Sequence, residues 1–265
     1  MQLPRHAFLS GWDAIFILIG LHFTEVLVGA AFQDFGGSFG LDEAETSALT
    51  LLLASGIVYT LAMKFTRTGW RDMFHATSAS PWRMAALLLL PVMALVPALS
   101  LACSSLMDLL VEVAPLARWE EELFASMAED SLAAIVLVVL LAPVLEEMLF
   151  RGIILRGFLA RYPRWPAIVA SAILFGASHM NIYQFMVGLL LGIPLGWLYE
   201  RTRSLIPCIA LHAAYNVSVT LLWTQDPVGA SGAWWDGTWI AWAVAIGLAA
   251  ASSFVLVRML QPARA

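Results

Sequence analysis

Charge is what this sequence has least of. Only 12% of its 265 residues are Asp, Glu, Lys or Arg, and 61% are hydrophobic, whereas a soluble globular domain carries roughly 25% charged residues. A soluble enzyme with one anchor is excluded, because long apolar runs recur from one end to the other. Cysteine is scarce as well. Cys103 and Cys208 both lie inside apolar runs, where a thiol behaves as a small buried hydrophobe, so no disulfide framework or cysteine-based metal site is indicated. The first apolar run, Trp12 to Phe32, lacks an A-x-A cleavage site, is too long for a signal-peptide core and is preceded only by Arg5 and His6. It is a retained helix. There is no repeat longer than a helix, no low-complexity tract and no linker, so residues 1–265 read as a single domain.

What the sequence has in abundance is apolar runs near or above ~18 residues, long enough for a helix to cross a bilayer. Eight candidate spans near 12–33, 44–63, 83–106, 131–158, 165–180, 182–199, 204–223 and 234–257 predict an all-α, polytopic transmembrane helix bundle. The loops between them sort by charge. After the second, fourth and sixth spans come Lys64, Arg67, Arg71 and Arg83, then Arg156, Arg161 and Arg164, then Arg201 and Arg203, with Arg5, Arg258 and Arg264 at the two ends. The opposite loops carry Asp34, Asp42, Glu43 and Glu45, then Glu120, Glu121, Glu122, Glu129 and Asp130, then Asp226 and Asp236, with only Arg118 basic. Retention of Lys and Arg on the cytoplasmic side places both termini there, which requires an even number of spans. The stretch Ala114 to Asp130, with Leu116, Trp119, Leu123 and Met127 spaced among glutamates, predicts an amphipathic helix on the acidic side, read as a solvated connector with a cap or lateral gate as the alternative.

A charged side chain at bilayer depth costs at least ~2.5 kcal/mol on insertion scales, so each one is a functional hypothesis. The fourth span holds Glu146, Glu147 and Arg151 in LAPVLEEMLFRG; the fifth ends with Phe175 and His179 in LFGASHMN; the seventh carries His212 and Asn216 in LHAAYN; the first carries Asp13, His22 and Glu25. Residues four apart share a helix face. Glu147 therefore pairs with Arg151, which leaves Glu146, rotated ~100° away, free to face another helix. His212 and Asn216 share one face, as do Phe175 and His179. A carboxylate without a local cation but near imidazoles suits a general base, and a His–Asn pair suits donors for the oxyanion of amide hydrolysis. A single buried His or Asn in such a bundle is commonly just an interhelical hydrogen-bonding group, but the full set of four on three helices favours chemistry. Asp13 reads as interfacial, and His22 with Glu25 as a self-satisfying i,i+3 pair, or equally as the lining of a water path. Gly188, Gly192 and Gly196 form a small-xxx-small ridge that brings the fifth and seventh spans together.

These residues resemble a known family. EEMLFRG fits EExxxR, FGASH fits FxxxH, and GLLLGIPLGWLYERTRSLIPCIALHAAYN is similar to the glycine-rich helix, basic turn and HxxxN helix of the CPBP family of CAAX-processing and bacteriocin-processing or abortive-infection proteins. The motifs occur in order over residues 142–218, within a motif-bearing core of 131–223, without departure at any motif position. The resemblance implies an intramembrane endopeptidase in which Glu146 activates water, His179 assists, His212 and Asn216 form the oxyanion site, and Glu147 and Arg151 support them. It leaves the metal open, because such proteins include metalloprotease and glutamate-type readings. The chain has no HExxH; Glu146, His179 and His212 would hold Zn²⁺ if a metal is present, but an Asn with a free general base explains the set without a cofactor.

The expected substrate is a membrane-associated or lipid-modified protein or peptide cut near its C-terminal region, and the expected partners are that substrate and the bilayer, with no nucleic acid. The expected location is multi-pass in a bacterial inner membrane. Two other classes stay open: a non-catalytic immunity or scaffold protein, and a proton-coupled transporter using Glu146, His179 and Glu25 as a relay. Against the transporter, there is no inverted repeat and no matched pair of broken spans.

Overall fold

A computed structural model describes residues 9–35, 40–127, 131–223 and 239–261 of the chain. Arg5, Glu129, Asp130, Asp226, Asp236 and Arg264 of the charge pattern lie outside them. The described residues are helical, without a strand; an isolated antiparallel bridge joins His75 to Ser204.

The first two helices, α1 (Gly11–Phe35) and α2 (Glu43–Thr66), start at side-chain caps. Asp13 accepts from both the backbone N–H and the hydroxyl of Ser10, each at 2.7 Å, so its charge sits at the helix end, as expected of an interfacial residue. Asp42 and Glu45 form a reciprocal capping box at the start of α2, which stops at Arg67 in the left-handed conformation (φ 53°). A short helix, α3 (Trp70–Phe74), follows. The single span expected at 83–106 is two helices, α4 (Pro81–Met93) and α5 (Val96–Val113), separated by Ala94 and Leu95. Proline explains the break. Pro91 within α4 can donate no backbone hydrogen bond, and Pro97 fits the first turn of a new helix.

The acidic-side helix α6 (Arg118–Met127) is docked rather than free. Its buried residues are Glu120, which accepts from the Ala117 N–H at 2.8 Å, and Phe124, packed edge-on against Tyr183 at 6.2 Å. Trp119, expected on the apolar stripe, is 56% exposed, and the side chains of Leu123 and Met127 lie outside the described ones.

The central element is α7 (Leu132–Arg161), a 30-residue helix containing two wide π turns, Leu137–Leu141 and Met148–Leu155. Widening a helix disturbs its backbone ladder and frees carbonyls for other donors. Side chains of neighbouring helices supply them: Asn216 donates to the Val138 carbonyl (2.8 Å), Tyr59 to Leu145 (3.0 Å) and Ser171 to Phe150 (3.0 Å).

A tight hairpin follows, α8 (Arg164–Ala177) and α9 (Ile182–Thr202), with Met180 in the turn at φ 60° and Asn181 capping α9 through the Gln184 N–H. The glycine ridge of α9 lies flat against α8. A Cβ at Gly188 would stand 2.9 Å from the Gly176 Cα, and one at Gly192 2.8 Å from the Ala172 Cβ. The last two helices are α10 (Ile206–Trp223) and α11 (Trp239–Met259), with the Ser252 hydroxyl of α11 reaching the Pro91 carbonyl of α4.

Six described helices, α1, α2, α5, α7, α9 and α11, are long and apolar enough to cross a membrane, and α4, α8 and most of α10 are shorter apolar helices. Basic loops gather at one end. The Gly11 N–H meets the Tyr162 hydroxyl (3.3 Å), Arg156 reaches the Asp72 carbonyl, and the Ala76 and Leu205 N–H groups donate to Arg203 and Phe74 (2.8 and 2.9 Å). At the other end the Tyr183 hydroxyl donates to the Ala114 carbonyl, beside the acidic α6.

Candidate active site

The site is built from the middle of α7 outward. Glu147 is buried completely, and one of its oxygens, Oε1, accepts from Arg151 Nη1 at 2.7 Å and from His212 Nδ1 at 2.9 Å. Glu147 therefore pairs within its own helix as its spacing predicts, and is also shared with α10. The Arg151 guanidinium donates from Nη2 to the Gly192 carbonyl of α9 (3.2 Å) and lies 4.7 Å above the Phe175 ring of α8. One buried ion pair thus ties four helices; Glu147 Oε1 and both Arg151 Nη atoms are engaged, while Glu147 Oε2 and Arg151 Nε are buried without a hydrogen-bond partner among the described residues.

Glu146 takes the opposite part. Its side chain is 28% exposed, and its Oε2 stands 3.6 Å from His212 Nε2. His212 thus lies between two carboxylates. Because a carboxylate only accepts, the ring offers Nδ1–H to Glu147, which leaves Nε2 directed at Glu146. The same logic fixes His179: its Nδ1–H donates to the Phe175 carbonyl at 2.9 Å, so in the neutral ring Nε2 carries the free lone pair. Both imidazoles meet Phe175 edge-on, with centroids 5.3 Å (His179) and 5.6 Å (His212) away. Phe175 is the hub around which the two histidines and Arg151 are arranged.

The structure brings Glu146, Glu147, Arg151 and His212 into direct reach of one another and sets His179 across Phe175 from them. Asn216, one turn beyond His212, directs one amide hydrogen to the Val138 carbonyl; the Asn amide has a second. His22 and Glu25 form their own pair at 3.0 Å. Two contributions have no separate signal in the sequence: Gly192 gives a carbonyl although its spacing speaks only of packing, and Tyr59 of α2 anchors the Leu145 carbonyl beside Glu146. Phe175, marked in the sequence by its motif with His179, acts through its ring.

Both histidines spend Nδ1 on protein acceptors and keep Nε2 for the interior.

Residues 128–218 match the family model of the type II CAAX prenyl endopeptidases, Rce1-like. Over this motif-bearing core the chain is similar to that family. That stretch holds Glu146, Glu147, Arg151, Phe175, His179, Gly192 and His212, ends just past Asn216 and leaves α1–α6 outside it. The match and the apolar helices together support a multi-pass membrane protein whose core is similar to that of the CAAX-type proteases. No curated protein and no solved structure matches the chain.

Proposed function

We propose that the chain is an intramembrane endopeptidase that cuts a peptide bond near the C-terminal region of a membrane-associated or lipid-modified protein or peptide in a bacterial inner membrane, with Glu146 as the base that activates water. The observation carrying this reading is the partly exposed Glu146 carboxylate facing an imidazole whose other nitrogen is fixed by a buried carboxylate and guanidinium. That combination supplies a proton acceptor and an oriented imidazole 3.6 Å apart.

In this mechanism Glu146 takes a proton from water as the water oxygen bonds to the scissile carbonyl carbon. His179, with its Nε2 lone pair, accepts a hydrogen bond from the same water and orients it. The carbonyl oxygen, now negative, is held by the second amide hydrogen of Asn216 and by Nε2–H of His212 in the protonated form of its ring, Nδ1–H staying on Glu147. The C–N bond then breaks, and the proton on Glu146 passes to the leaving nitrogen. Glu147 and Arg151 orient His212 and touch no substrate. No step needs a cation, so cleavage persists after exhaustive chelation of the purified protein; loss on chelation with recovery on adding Zn²⁺ would sink the metal-free form of the mechanism.

The test compares membrane proteomes of cells carrying the wild type or Glu146→Ala. A precursor with an uncut C-terminal region accumulates only with Glu146→Ala, and Asn216→Ala lowers kcat by about 10²-fold, the usual loss for one oxyanion donor. If the Glu146→Ala and wild-type proteomes coincide while the variant is folded in the membrane, the scaffold reading replaces this one.

A further inference from the structure

Between the outer halves of α1 and α2 lies an open cavity of about 710 Å³, lined by Glu25 and Gln33 of α1, by Thr46 and Thr50 of α2 and by Leu137 of α7. Its mouth, at Gln33, Asp42 and Glu43, opens among the acidic loops, and no Lys or Arg lines it. From Gln33 it descends to Glu25, a depth of about 12 Å along α1 at 1.5 Å per residue. Its volume corresponds to on the order of twenty waters at about 30 Å³ each.

Two observations say what this space is for. Gly29, Phe32, Leu41 and Leu51 supply much of its wall, but Glu25, Gln33, Asp42 and Glu43 line it as well, and a carboxylate as deep as Glu25 is tenable where water reaches it. The inner end also abuts the active site twice. Leu137 opens the π turn whose Val138 carbonyl holds Asn216. Glu25 pairs with His22 at 3.0 Å, and the His22 ring approaches the Ser178 backbone beside His179.

We propose that this cavity is the water inlet of the protease, opening on the side of the acidic loops, and that His22–Glu25 at its inner end is a positioning pair that orders water on its way to His179 and Glu146. It rests on the protease reading above. Hydrolysis consumes one water per turnover, and the mid-membrane placement of Glu146 demands a polar route to it. His22 pairs with Glu25 at 3.0 Å, and the other polar side chains lining the cavity are Gln33 on the same helix and Asp42, Glu43, Thr46, Ser47 and Thr50 from α2 and its start. None supplies a fixed cation, so the pair acts as a hydrogen-bonding relay for water.

The test uses the full chain with Cys103 and Cys208, both buried, replaced by Ala. Thr50→Cys and Leu137→Cys are each treated with a membrane-impermeant cationic thiol reagent from either side of sealed vesicles. Leu53→Cys, on α2 outside the cavity lining and 47% exposed on the bundle surface, serves as the lipid-facing control. Both cavity thiols react from the acidic-loop side, roughly tenfold or more faster than Leu53→Cys. Reaction no faster than the control, or only from the basic-loop side, overturns the inlet. For the pair, Glu25→Gln and His22→Ala each lower kcat roughly tenfold at unchanged KM, a smaller loss than removing the general base itself; wild-type kcat in both overturns its role. Labelling needs no turnover, so an inlet without proteolysis and a protease without this inlet give different results.

Discussion

Arg151 and Glu147, exposed to 1% and 0%, are tenable in the middle of an apolar bundle only because each answers the other. Arg151→Met therefore leaves a buried carboxylate with His212 as its remaining hydrogen-bond partner and costs about 3–5 kcal/mol, the usual penalty for an orphaned buried charge. Glu147→Leu combined with Arg151→Met recovers most of that stability, because two apolar side chains of similar length need no compensation. Activity does not return with it, since His212 has lost the acceptor that holds its Nδ1–H. Thermal unfolding in detergent, read beside cleavage, separates the two effects; a double variant as unstable as Arg151→Met would show that the pair is not self-contained. The i,i+4 half of this arrangement is legible in the sequence because it depends only on helix geometry. The His212 half is not, because it depends on where a helix 65 residues away crosses α7. Asn216 shows the same limit: its place on the seventh span's polar face is readable, its acceptor is not, since the Val138 carbonyl is available only because α7 widens there.

At the level of elements, hydropathy reports length and apolarity, and the glycine spacing reports close approach, so α1, α2, α7, α9 and a tight contact at the ridge were visible in advance, but not that the ridge lies against α8. The π turns of α7 leave hydropathy unchanged and were not. The break between α4 and α5 was signalled only by Pro91 and Pro97, which a sliding apolar window passes over. The glycine ridge is where packing is most sensitive. A methyl at Gly188 would stand 2.9 Å from the Gly176 Cα and 3.3 Å from its N, both backbone atoms that cannot rotate aside. Gly188→Ala must push α8 off α9, moving Phe175 relative to Arg151 and both histidines, and destabilises by about 1–3 kcal/mol, as overpacking does. The comparison is Gly247→Ala in α11, where nothing lies within 4 Å of the added methyl and stability and cleavage stay at wild-type levels. Equal melting temperatures for the two variants would mean that the ridge is not a tight contact.

For the whole molecule, the decisive pattern is the sorting of charge between the two ends. The basic loops after α2, α7 and α9 are joined through His75 and Ser204, Arg156 and Asp72, and Ala76 and Arg203, while Ala114 and Tyr183 meet beside the acidic α6 at the other end. A positively charged end retained in the cytoplasm gives the bundle one orientation in the membrane. Short helices do not weaken this, because α8 starts at the basic loop of Arg161 and Arg164 and α10 after the basic turn at Arg201 and Arg203. In sealed cells, therefore, an impermeant thiol reagent labels Pro115→Cys, between α5 and α6, and leaves Thr68→Cys, after α2, untouched; inverting the membrane exchanges the two results. Labelling of both positions from one side would break the link between loop charge and helix direction, and would place the mouth of the α1–α2 cavity on the same side as the basic loops. Agreement would put that mouth, with Asp42 and Glu43, outside the cytoplasm, and the Glu146 carboxylate between it and the basic end, about 14 residues, or ~21 Å at 1.5 Å per residue, along α7 from Leu132.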